Sequence, residues 1–218
     1  MYPRKIQVAG TLLEIGAVKL QPRDPFTWAS GRFAPIYCNN RKAMTSPETR
    51  EEIVSHLRKL LLESEELKAV ETIAAVSTSG ILWGALLADD LGLNFVYVRP
   101  DKKGHGTQGQ IEGDIDTVQG TKAVVVEDLI STGGSSLKVV DALRDNGVEV
   151  LGMIAIFTYG FPDAAESFKK SDVWLGTLTD YDTLLEVAIS TDYISADDVA
   201  TLKEWRKDPL KWSEEQKT

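Results

Sequence analysis

Between about residue 72 and residue 178 the sequence alternates short β-branched runs with amphipathic stretches. That alternation is typical of a parallel β-sheet covered by helices. The predicted strands are TIAAV, NFVYVR, KAVVVE, VLGMIAIFT and VWLGTL, and the predicted helices between them are ILWGALLADDL and SSLKVVDALRDNG. Asn146 and Gly147 are expected to end the second helix. We therefore expect an α/β protein whose core is a doubly wound, mostly parallel sheet.

Further elements are expected before this region. Ser46 and Pro47 suit the N-cap and first turn of a helix that runs to about Leu62. Residues 26–39 carry two aromatic-rich runs on either side of a Ser-Gly pair, which predicts an extended, hairpin-like flap that caps a site.

The segment after Tyr181 is predicted to be helical again. Ser195 and Asp198 have the spacing of a capping box at a helix N-terminus. Trp205 and Trp212 are interpreted as packing or interface residues rather than as a cage for a cofactor.

Length and composition exclude several classes of protein. A chain of 218 residues can bury a core as a single domain without disulfides. Cys38 is the only cysteine, which excludes an intramolecular disulfide and a thiolate metal cluster. The first residues lack the apolar core of a secretion signal, and no stretch approaches about 18 consecutive apolar residues. We therefore expect a cytoplasmic protein that does not span a membrane.

The charge balance argues against a nucleic-acid partner. The chain has 24 Lys and Arg residues against 33 Asp and Glu residues, a net charge of −9. The field of the whole protein therefore does not attract polyanions without specificity. Any site for an anion must be built locally.

Residues 124–136, VVVEDLISTGGSS, carry the strongest functional signal. A buried strand is followed by a hydroxyl-rich turn that opens a helix, and the backbone N–H groups of residues 131–135 would point at a bound phosphate. Gly133 and Gly134 are expected to allow close approach and positive φ. Further donors would come from the hydroxyls of Ser131, Thr132 and Ser135.

The same segment presents two adjacent carboxylates, Glu127 and Asp128, at the carboxyl end of the strand. Carboxylates there can accept hydrogen bonds from vicinal ribose hydroxyls. They would repel a bare anion, so their position makes sense if hydroxyls or Mg²⁺ intervene. The alternative is an ordinary strand–turn–helix junction, but the combination favours a site for a phosphorylated sugar. The segment matches neither the P-loop nor the dinucleotide-binding pattern.

A second signal is the segment YVRPDKKGHGTQGQIEG, residues 97–113. It is rich in glycine and in cations and has no apolar periodicity, which predicts a mobile loop at 99–113. Its cations Arg99, Lys102, Lys103 and His105 can reach a polyanion. Taken alone, the segment is more typical of a solvated basic loop.

Together these motifs resemble those of the type I phosphoribosyltransferases, which use 5-phosphoribosyl 1-diphosphate (PRPP). The loop resembles the one that marks the orotate phosphoribosyltransferases, and so do the segments FTWASGRFAPIY, with NNR at 39–41, and AIFTYGFP at 155–162. The resemblance covers nearly the whole chain. It implies a single phosphoribosyltransferase domain, 1–218, with a hood formed mainly by residues 1–45 and C-terminal segments.

The resemblance also implies the site residues. Lys103, His105 and Asp128 are expected to be catalytic. The residues expected to contact PRPP are Arg99, Lys102, Lys103, His105, Glu127, Asp128, Leu129, Ile130, Ser131, Thr132, Gly133, Gly134, Ser135, Thr78 and Ser79. The residues expected to contact orotate are Ser131, Arg41, Tyr37 and Thr158.

The implied reaction joins orotate and PRPP to give orotidine 5′-phosphate and diphosphate, a step of pyrimidine nucleotide synthesis. Mg²⁺ is the implied cofactor, held mainly by PRPP with Glu127 and Asp128 nearby. The implied assembly is a homodimer in which loop 99–113 reaches the neighbouring active site. The turn at residues 77–80 is expected to supply a second set of diphosphate contacts, and relatives sometimes have a cis peptide there.

Several positions depart from the commoner pattern of the family. Ala29 and Ser79 stand where many relatives have lysine, and Pro100 replaces a loop lysine. Thr158 stands where an orotate-binding arginine is often found. Arg41 is therefore interpreted as the cation for the acceptor carboxylate, because its guanidinium offers a bidentate fork.

Two alternatives remain at this stage. One is a phosphoribosyltransferase that acts on another nucleobase, since the PRPP segment does not identify the acceptor. The other is a non-catalytic PRPP-sensing regulator that binds nucleic acid. The net charge of −9 argues against the regulator.

Overall fold

The computed structural model describes residues 3–28, 30–101 and 109–217. They form two compact units, one of residues 1–49 and 179–218 and the other of residues 50–178. The helices are α1 Pro3–Glu14, α2 Pro47–Glu63, α3 Ile81–Leu91, α4 Ile115–Val118, α5 Gly134–Asp145, α6 Pro162–Lys170, α7 Tyr181–Ser190, α8 Ala196–Lys207 and α9 Pro209–Glu215, with short 3-10 helices at Asn40–Met44 and Glu65–Leu67. The strands are β1 Val18–Leu20, β2 Phe26–Thr27, β3 Phe33–Ala34, β4 Ile36–Cys38, β5 Thr72–Val76, β6 Asn94–Val98, β7 Ile111–Glu112, β8 Lys122–Ile130, β9 Glu149–Thr158 and β10 Trp174–Asp180.

A six-stranded sheet in the order β10-β9-β8-β5-β6-β7 forms the larger unit's core. Strands β9, β8, β5 and β6 are parallel, and the short edge strand β7 pairs antiparallel with β6. All five residues of β5 and most of β8 are buried, as expected for strands with helices on both faces. The predicted doubly wound, mostly parallel α/β core is confirmed.

The sheet is built outwards in two opposite directions from the neighbouring strands β5 and β8. From β5 the chain passes through α3 to β6 on one side, whereas β8 passes through α5 to β9 on the other. Such a switch point leaves a crevice at the carboxyl ends of the two strands, where ligands bind in open α/β sheets.

All five predicted strands and both predicted helices of this core are present; β5 and α3 have the predicted bounds, and the other elements have shifted ends. Strand β8 extends past the predicted Glu127 to Ile130, because β9 is long enough to pair with it: Leu129 lies opposite Phe157, and Ile130 lies opposite Thr158. The expectation that Glu127 and Asp128 emerge where the strand ends was therefore wrong, because β8 ends at Ile130, two residues after Asp128. They lie within a strand that continues beyond its neighbour β5.

The predicted end of α5 at Asn146 and Gly147 is confirmed. Gly147 has φ +77°, its N–H donates to the carbonyl of Arg144 at 3.0 Å, and the N–H of Val148 donates to the carbonyl of Leu143 at 3.1 Å. This pair of bonds is the Schellman arrangement, which satisfies carbonyls at the end of a helix.

The smaller unit contains the predicted hairpin, in which β2 pairs antiparallel with β3, and a second antiparallel pair, β1 with β4. The predicted packing role of Trp205 is also confirmed. Its ring is 1% exposed and lies 5.9 Å from that of Trp28 and 5.7 Å from that of Tyr181.

Two helix starts predicted from the sequence are confirmed. The hydroxyl of Ser46 accepts a hydrogen bond from the N–H of Thr49 at 3.2 Å. Ser195 and Asp198 form the reciprocal capping box of α8. In the described ranges, no helix is long and apolar enough to cross a membrane.

Candidate active site

Two helices begin side by side at the switch point of the sheet. Helix α3 follows β5 and helix α5 follows β8, and these two strands are hydrogen-bonded neighbours. Their N-caps are Gly80 and Gly133, neither of which has a side chain to cap the first turn. Although the N–H of Ile81 donates to the carbonyl of Thr78 at 3.3 Å, no side chain caps either first turn, and the helix dipoles favour an anion there.

Gly133 is required by the geometry of the turn between β8 and α5. It has φ +80°, and a Cβ atom at this position would lie 2.6 Å from Cε2 of the buried Phe168. Gly134 differs, since its φ is not positive and a Cβ atom there would meet nothing within 4 Å. The expectation that both glycines serve positive φ was therefore wrong for Gly134, which leaves open space at the first turn of the helix.

The turn after β5 lies against the backbone of β8. A Cβ atom on Gly80 would be 2.5 Å from the carbonyl oxygen of Val126 and 2.8 Å from that of Val76. The peptide bond between Ser77 and Thr78 is cis, as expected from the resemblance. Only glycine fits at position 80, so the turn after β5 packs directly on the backbone of β8.

Glu127 and Asp128 form a hydrogen-bonded pair beside this crevice. Glu127 is 7% exposed; its Oε1 accepts from the N–H of Asp128 at 2.9 Å, and its Oε2 accepts from the hydroxyl of Ser136 at 3.1 Å. Burial, followed by the charge of Asp128 and a hydrogen bond to its side chain, raises the pKa of Glu127 to about 9. The raised pKa of Glu127 favours its protonated form at neutral pH, which reduces its repulsion of a nearby phosphate.

The hydroxyls predicted to bind the phosphate lie in and beside the turn between β8 and α5. Ser131 is half-buried, and Thr132 and Ser135 are exposed. Of the other two predicted residues, Leu129 is half-buried and Ile130 is buried, with its carbonyl accepting from the N–H of Tyr159 at 3.1 Å. These two residues are the last of β8, and their pairing with β9 holds the start of the turn in place.

Arg99 lies just after β6, at the same edge of the sheet. Its N–H donates to the carbonyl of Gln110 at 2.9 Å, and Nε2 of Gln110 donates back to the carbonyls of Arg99 and Pro100. The guanidinium of Arg99 lies 2.7 Å from Oε1 of Glu112, and both side chains are partly exposed. The two ends of the predicted loop are therefore joined at Arg99 and Gln110.

Three of the predicted loop residues, Lys102, Lys103 and His105, lie outside the described residues, as does Ala29. At the foot of the loop, Asp101 forms an ion pair with Lys138 of α5 at 2.8 Å.

The remaining predicted residues are divided between the units. Thr78, Ser79 and Thr158 follow or end strands of the larger unit at the carboxyl edge of the sheet, with Thr158 half-buried. Arg41 and Tyr37 belong to the smaller unit, where Arg41 is exposed on a 3-10 helix and Tyr37 is 44% exposed on β4.

Sequence reasoning missed two residues that touch this site. Ser136 donates a hydrogen bond to Glu127, and its place in the first turn of the helix, after three other hydroxyl residues, was the available signal. Glu112 pairs with Arg99 across the β6–β7 pair, and the antiparallel strand that brings it there has only two residues, too few to be recognised by alternation.

The carboxylates at this site fit a metal ion that is held mainly by a bound phosphate compound. Among residues 3–28, 30–101 and 109–217, no group of three His, Cys, Asp or Glu side chains could hold a metal ion. Mg²⁺ commonly binds through one or two carboxylates together with substrate phosphates, and Glu127 and Asp128 supply such carboxylates.

Comparison with known proteins identifies the family. The sequence model of the phosphoribosyl transferase domain matches residues 48–180. The chain is 53% identical over 205 residues to the orotate phosphoribosyltransferase of Porphyromonas gingivalis, covering 94% of this chain and 96% of the relative. It is 53% identical over 204 residues to the enzyme of the same name from Bacteroides thetaiotaomicron, covering 94% of each chain.

A solved structure agrees with these sequence matches. The crystal structure of orotate phosphoribosyltransferase from Aeropyrum pernix superposes with a TM-score of 0.72 at 29% identity, covering 86% of this chain and 99% of that one. The chain therefore belongs to the orotate phosphoribosyltransferases of the phosphoribosyl transferase domain family.

Proposed function

We propose that this protein transfers the 5-phosphoribosyl group of PRPP to orotate, giving orotidine 5′-phosphate and diphosphate. The observation that carries the proposal is the pair of glycine-capped helix N-termini at the switch point, beside the Glu127–Asp128 pair. This arrangement offers donors for phosphate and acceptors for hydroxyls within a few residues of each other. The family to which the chain belongs supports orotate as the acceptor.

The residues of β8 and α5 are proposed to bind the ribose 5-phosphate part. The N–H groups and hydroxyls of residues 131–135 bind the 5′-phosphate. Asp128, as a carboxylate, accepts from a ribose hydroxyl, and Glu127, protonated in the free protein, can donate as well as accept. Because Glu127 is neutral, the pair binds the diol at a smaller cost in repulsion from the phosphate.

The leaving diphosphate is proposed to lie against the turn at residues 77–80 and the cations of loop 99–113. Breaking the bond at the anomeric carbon leaves an oxocarbenium-like ribosyl group and increases the charge on diphosphate. Donors that contact diphosphate more strongly in the transition state than in the ground state lower the barrier. We assign that role to Thr78, Ser79, Arg99, Lys102, Lys103 and His105.

Mg²⁺, carried by PRPP, would supply further positive charge on the diphosphate and ribose oxygens. On the acceptor side we propose Ser131, Thr158, Tyr37 and Arg41 as contacts of orotate. We also propose that residues 1–45, with C-terminal segments, act as a hood over the acceptor. The functional assembly is proposed to be a homodimer in the cytoplasm, in which loop 99–113 serves the neighbouring site.

The assay uses purified protein, PRPP and Mg²⁺, with orotate, hypoxanthine and adenine offered separately. We expect turnover of orotate, followed by its absorbance change, and none of the purines. Turnover of a purine without turnover of orotate would overturn the proposal in favour of another phosphoribosyltransferase. PRPP binding without any turnover would favour the non-catalytic regulator.

A further inference from the structure

Ser136 carries a buried hydroxyl to which the proposed chemistry gives no role. It lies in the first turn of α5 and is 4% exposed. Its hydroxyl donates to Oε2 of Glu127 at 3.1 Å, although the two residues are nine positions apart in the chain. Serine hydroxyls in helices commonly bond to the nearby backbone. This hydroxyl instead joins the helix to a carboxyl group of the neighbouring strand.

The hydrogen bond between Ser136 and Glu127 encloses the whole sugar-phosphate segment. Residues 128–135 lie between the two partners, and they include Asp128 and the phosphate turn at 131–135. Glu127 belongs to β8 and Ser136 belongs to α5, so the bond crosses from strand to helix at the base of the turn. It therefore limits how far the carboxyl pair and the phosphate turn can move apart.

The same bond fixes the carboxyl group that orders Asp128. Oε1 of Glu127 accepts from the N–H of Asp128 at 2.9 Å, so each carboxyl oxygen of Glu127 has a donor. Glu127 is buried, whereas Asp128 is half-buried. A buried carboxyl group that loses a donor is left with an uncompensated cost of desolvation. Removal of the Ser136 hydroxyl should therefore shift Glu127 and, through it, Asp128.

The turn itself has contacts that do not depend on this hydroxyl. Gly133 lies close to the ring of Phe168, and the carbonyl of Gly133 accepts from the N–H of Leu137 at 2.9 Å at the start of the helix. These contacts remain when Ser136 becomes alanine. The phosphate turn should then keep its shape while its spacing from the carboxyl pair is released.

We propose that Ser136 is a positioning residue that holds the Glu127–Asp128 pair at the distance from the phosphate turn that a ribose 5-phosphate spans. The hydroxyl touches neither the sugar nor the phosphate and acts through Glu127. Binding of the ribose diol by this pair rests on the proposed function. The hydroxyl thus strengthens the binding only of ligands that carry both a 5′-phosphate and the ribose hydroxyls.

The test titrates the full chain by calorimetry with ribose 5-phosphate, 2-deoxyribose 5-phosphate and inorganic phosphate. Ser136→Ala should weaken the binding of ribose 5-phosphate about 3- to 10-fold, as expected for one buried hydrogen bond, and change the Kd of inorganic phosphate less than about twofold. The deoxy sugar lacks one hydroxyl of the diol. The preference of wild-type protein for ribose 5-phosphate over the deoxy sugar should therefore fall in Ser136→Ala.

Ser64→Ala is the matched control. Ser64 is also a buried serine of the larger unit, and its hydroxyl donates to the carbonyl of Leu60 at 2.7 Å, outside the site. This variant should keep the wild-type preference between the two sugars, whatever its effect on Tm. If Ser136→Ala does not fold, Ser136→Cys gives the same comparison, because it keeps the shape of the side chain with a weaker donor.

Two results would overturn the role of Ser136. Equal weakening of all three probes would show that the hydroxyl supports the phosphate turn itself. An unchanged Kd for ribose 5-phosphate, with or without a lower Tm, would leave the hydroxyl a structural role only.

Failure of this inference and failure of the proposed function give different results. If wild-type protein turns over orotate and Ser136→Ala keeps the preference for ribose 5-phosphate, the function stands and the inference fails. If wild-type protein does not turn over orotate but Ser136→Ala loses that preference, the function fails and the positioning role stands. Wild-type protein without any preference between the two sugars would overturn both.

Discussion

Substituting Gly133 by alanine tests whether the turn between β8 and α5 is set by sterics. The residue has φ +80°, a conformation that costs an alanine about 1 to 2 kcal/mol. The new methyl group would also lie 2.6 Å from the ring of Phe168, which is 3% exposed and cannot move into solvent. Overpacking of this kind costs about 1 to 3 kcal/mol. The expected loss in free energy of unfolding is therefore about 2 to 5 kcal/mol.

The assay is thermal unfolding of ligand-free protein. For a chain of this size, 1 kcal/mol corresponds to about 2 to 4 °C in Tm, so Gly133→Ala should lower Tm by at least about 4 °C. Gly134→Ala is the matched control, since nothing lies within 4 Å of its Cβ position. It should leave Tm unchanged or raise it slightly, because alanine is the better helix former.

A double-mutant cycle with Phe168→Leu isolates the contact. If the ring causes the loss, Gly133→Ala should cost at least about 1 kcal/mol less in the leucine background than in the native one. A Tm for Gly133→Ala within about 1 °C of wild type would refute the steric argument. A cycle without coupling would assign the loss to the backbone conformation instead.

Four further predictions concern charge and the neighbouring turn. The raised pKa of Glu127, from 4.5 to about 9, means that the folded state holds a proton that the unfolded state releases. The stability that this proton confers is present below pH 4.5 and is lost as pH rises towards about 9. The loss in free energy of unfolding is at most about 1.4 kcal/mol per pH unit. Urea unfolding measured at several pH values should show this slope in wild type and a smaller one in Glu127→Gln. Gly80→Ala, whose methyl group would lie 2.5 Å from a backbone oxygen, should lower Tm and turnover together, and an unchanged crystal structure of that turn would contradict the reasoning. Glu112→Gln removes the ion pair of Arg99 and should change the KM for PRPP more than that for orotate; equal changes in both would exclude a link through Arg99. Lys103→Ala should lower kcat at least about 100-fold, or about 2.7 kcal/mol, in steady-state assays, whereas a kcat close to wild type would remove Lys103 from the catalytic group.

The core of the fold was predictable because its signals are local. Strand β5 and helix α3 have the predicted bounds, Thr72–Val76 and Ile81–Leu91. The end of β8 was not predictable in this way, because its last residues are held in the strand by pairing with β9. Partner strands decide such boundaries, and a single sequence does not show them.

Helices α1 and α6 were not predicted, although α6 carries a readable signal. Pro162 is its first residue, and Phe161, Ala164 and Phe168 have the spacing of one helix face. The features of the site also fall into those that can be read from the sequence and those that cannot. The phosphate turn follows from residue types along the chain, whereas the contact of Ser136 with Glu127 depends on the fold.

The mutual hydrogen bonds of Arg99 and Gln110 have a consequence for how the enzyme can vary. They join the residue that follows β6 to the residue that precedes β7, so both ends of the intervening segment are held at the edge of the sheet. Lengthening a segment between fixed ends adds little to the entropy cost of folding, about 0.6 kcal/mol for each doubling. Insertions or exchanged sequences between these anchors should thus alter the handling of diphosphate while leaving the scaffold as stable as before, so this stretch can be engineered as a replaceable module.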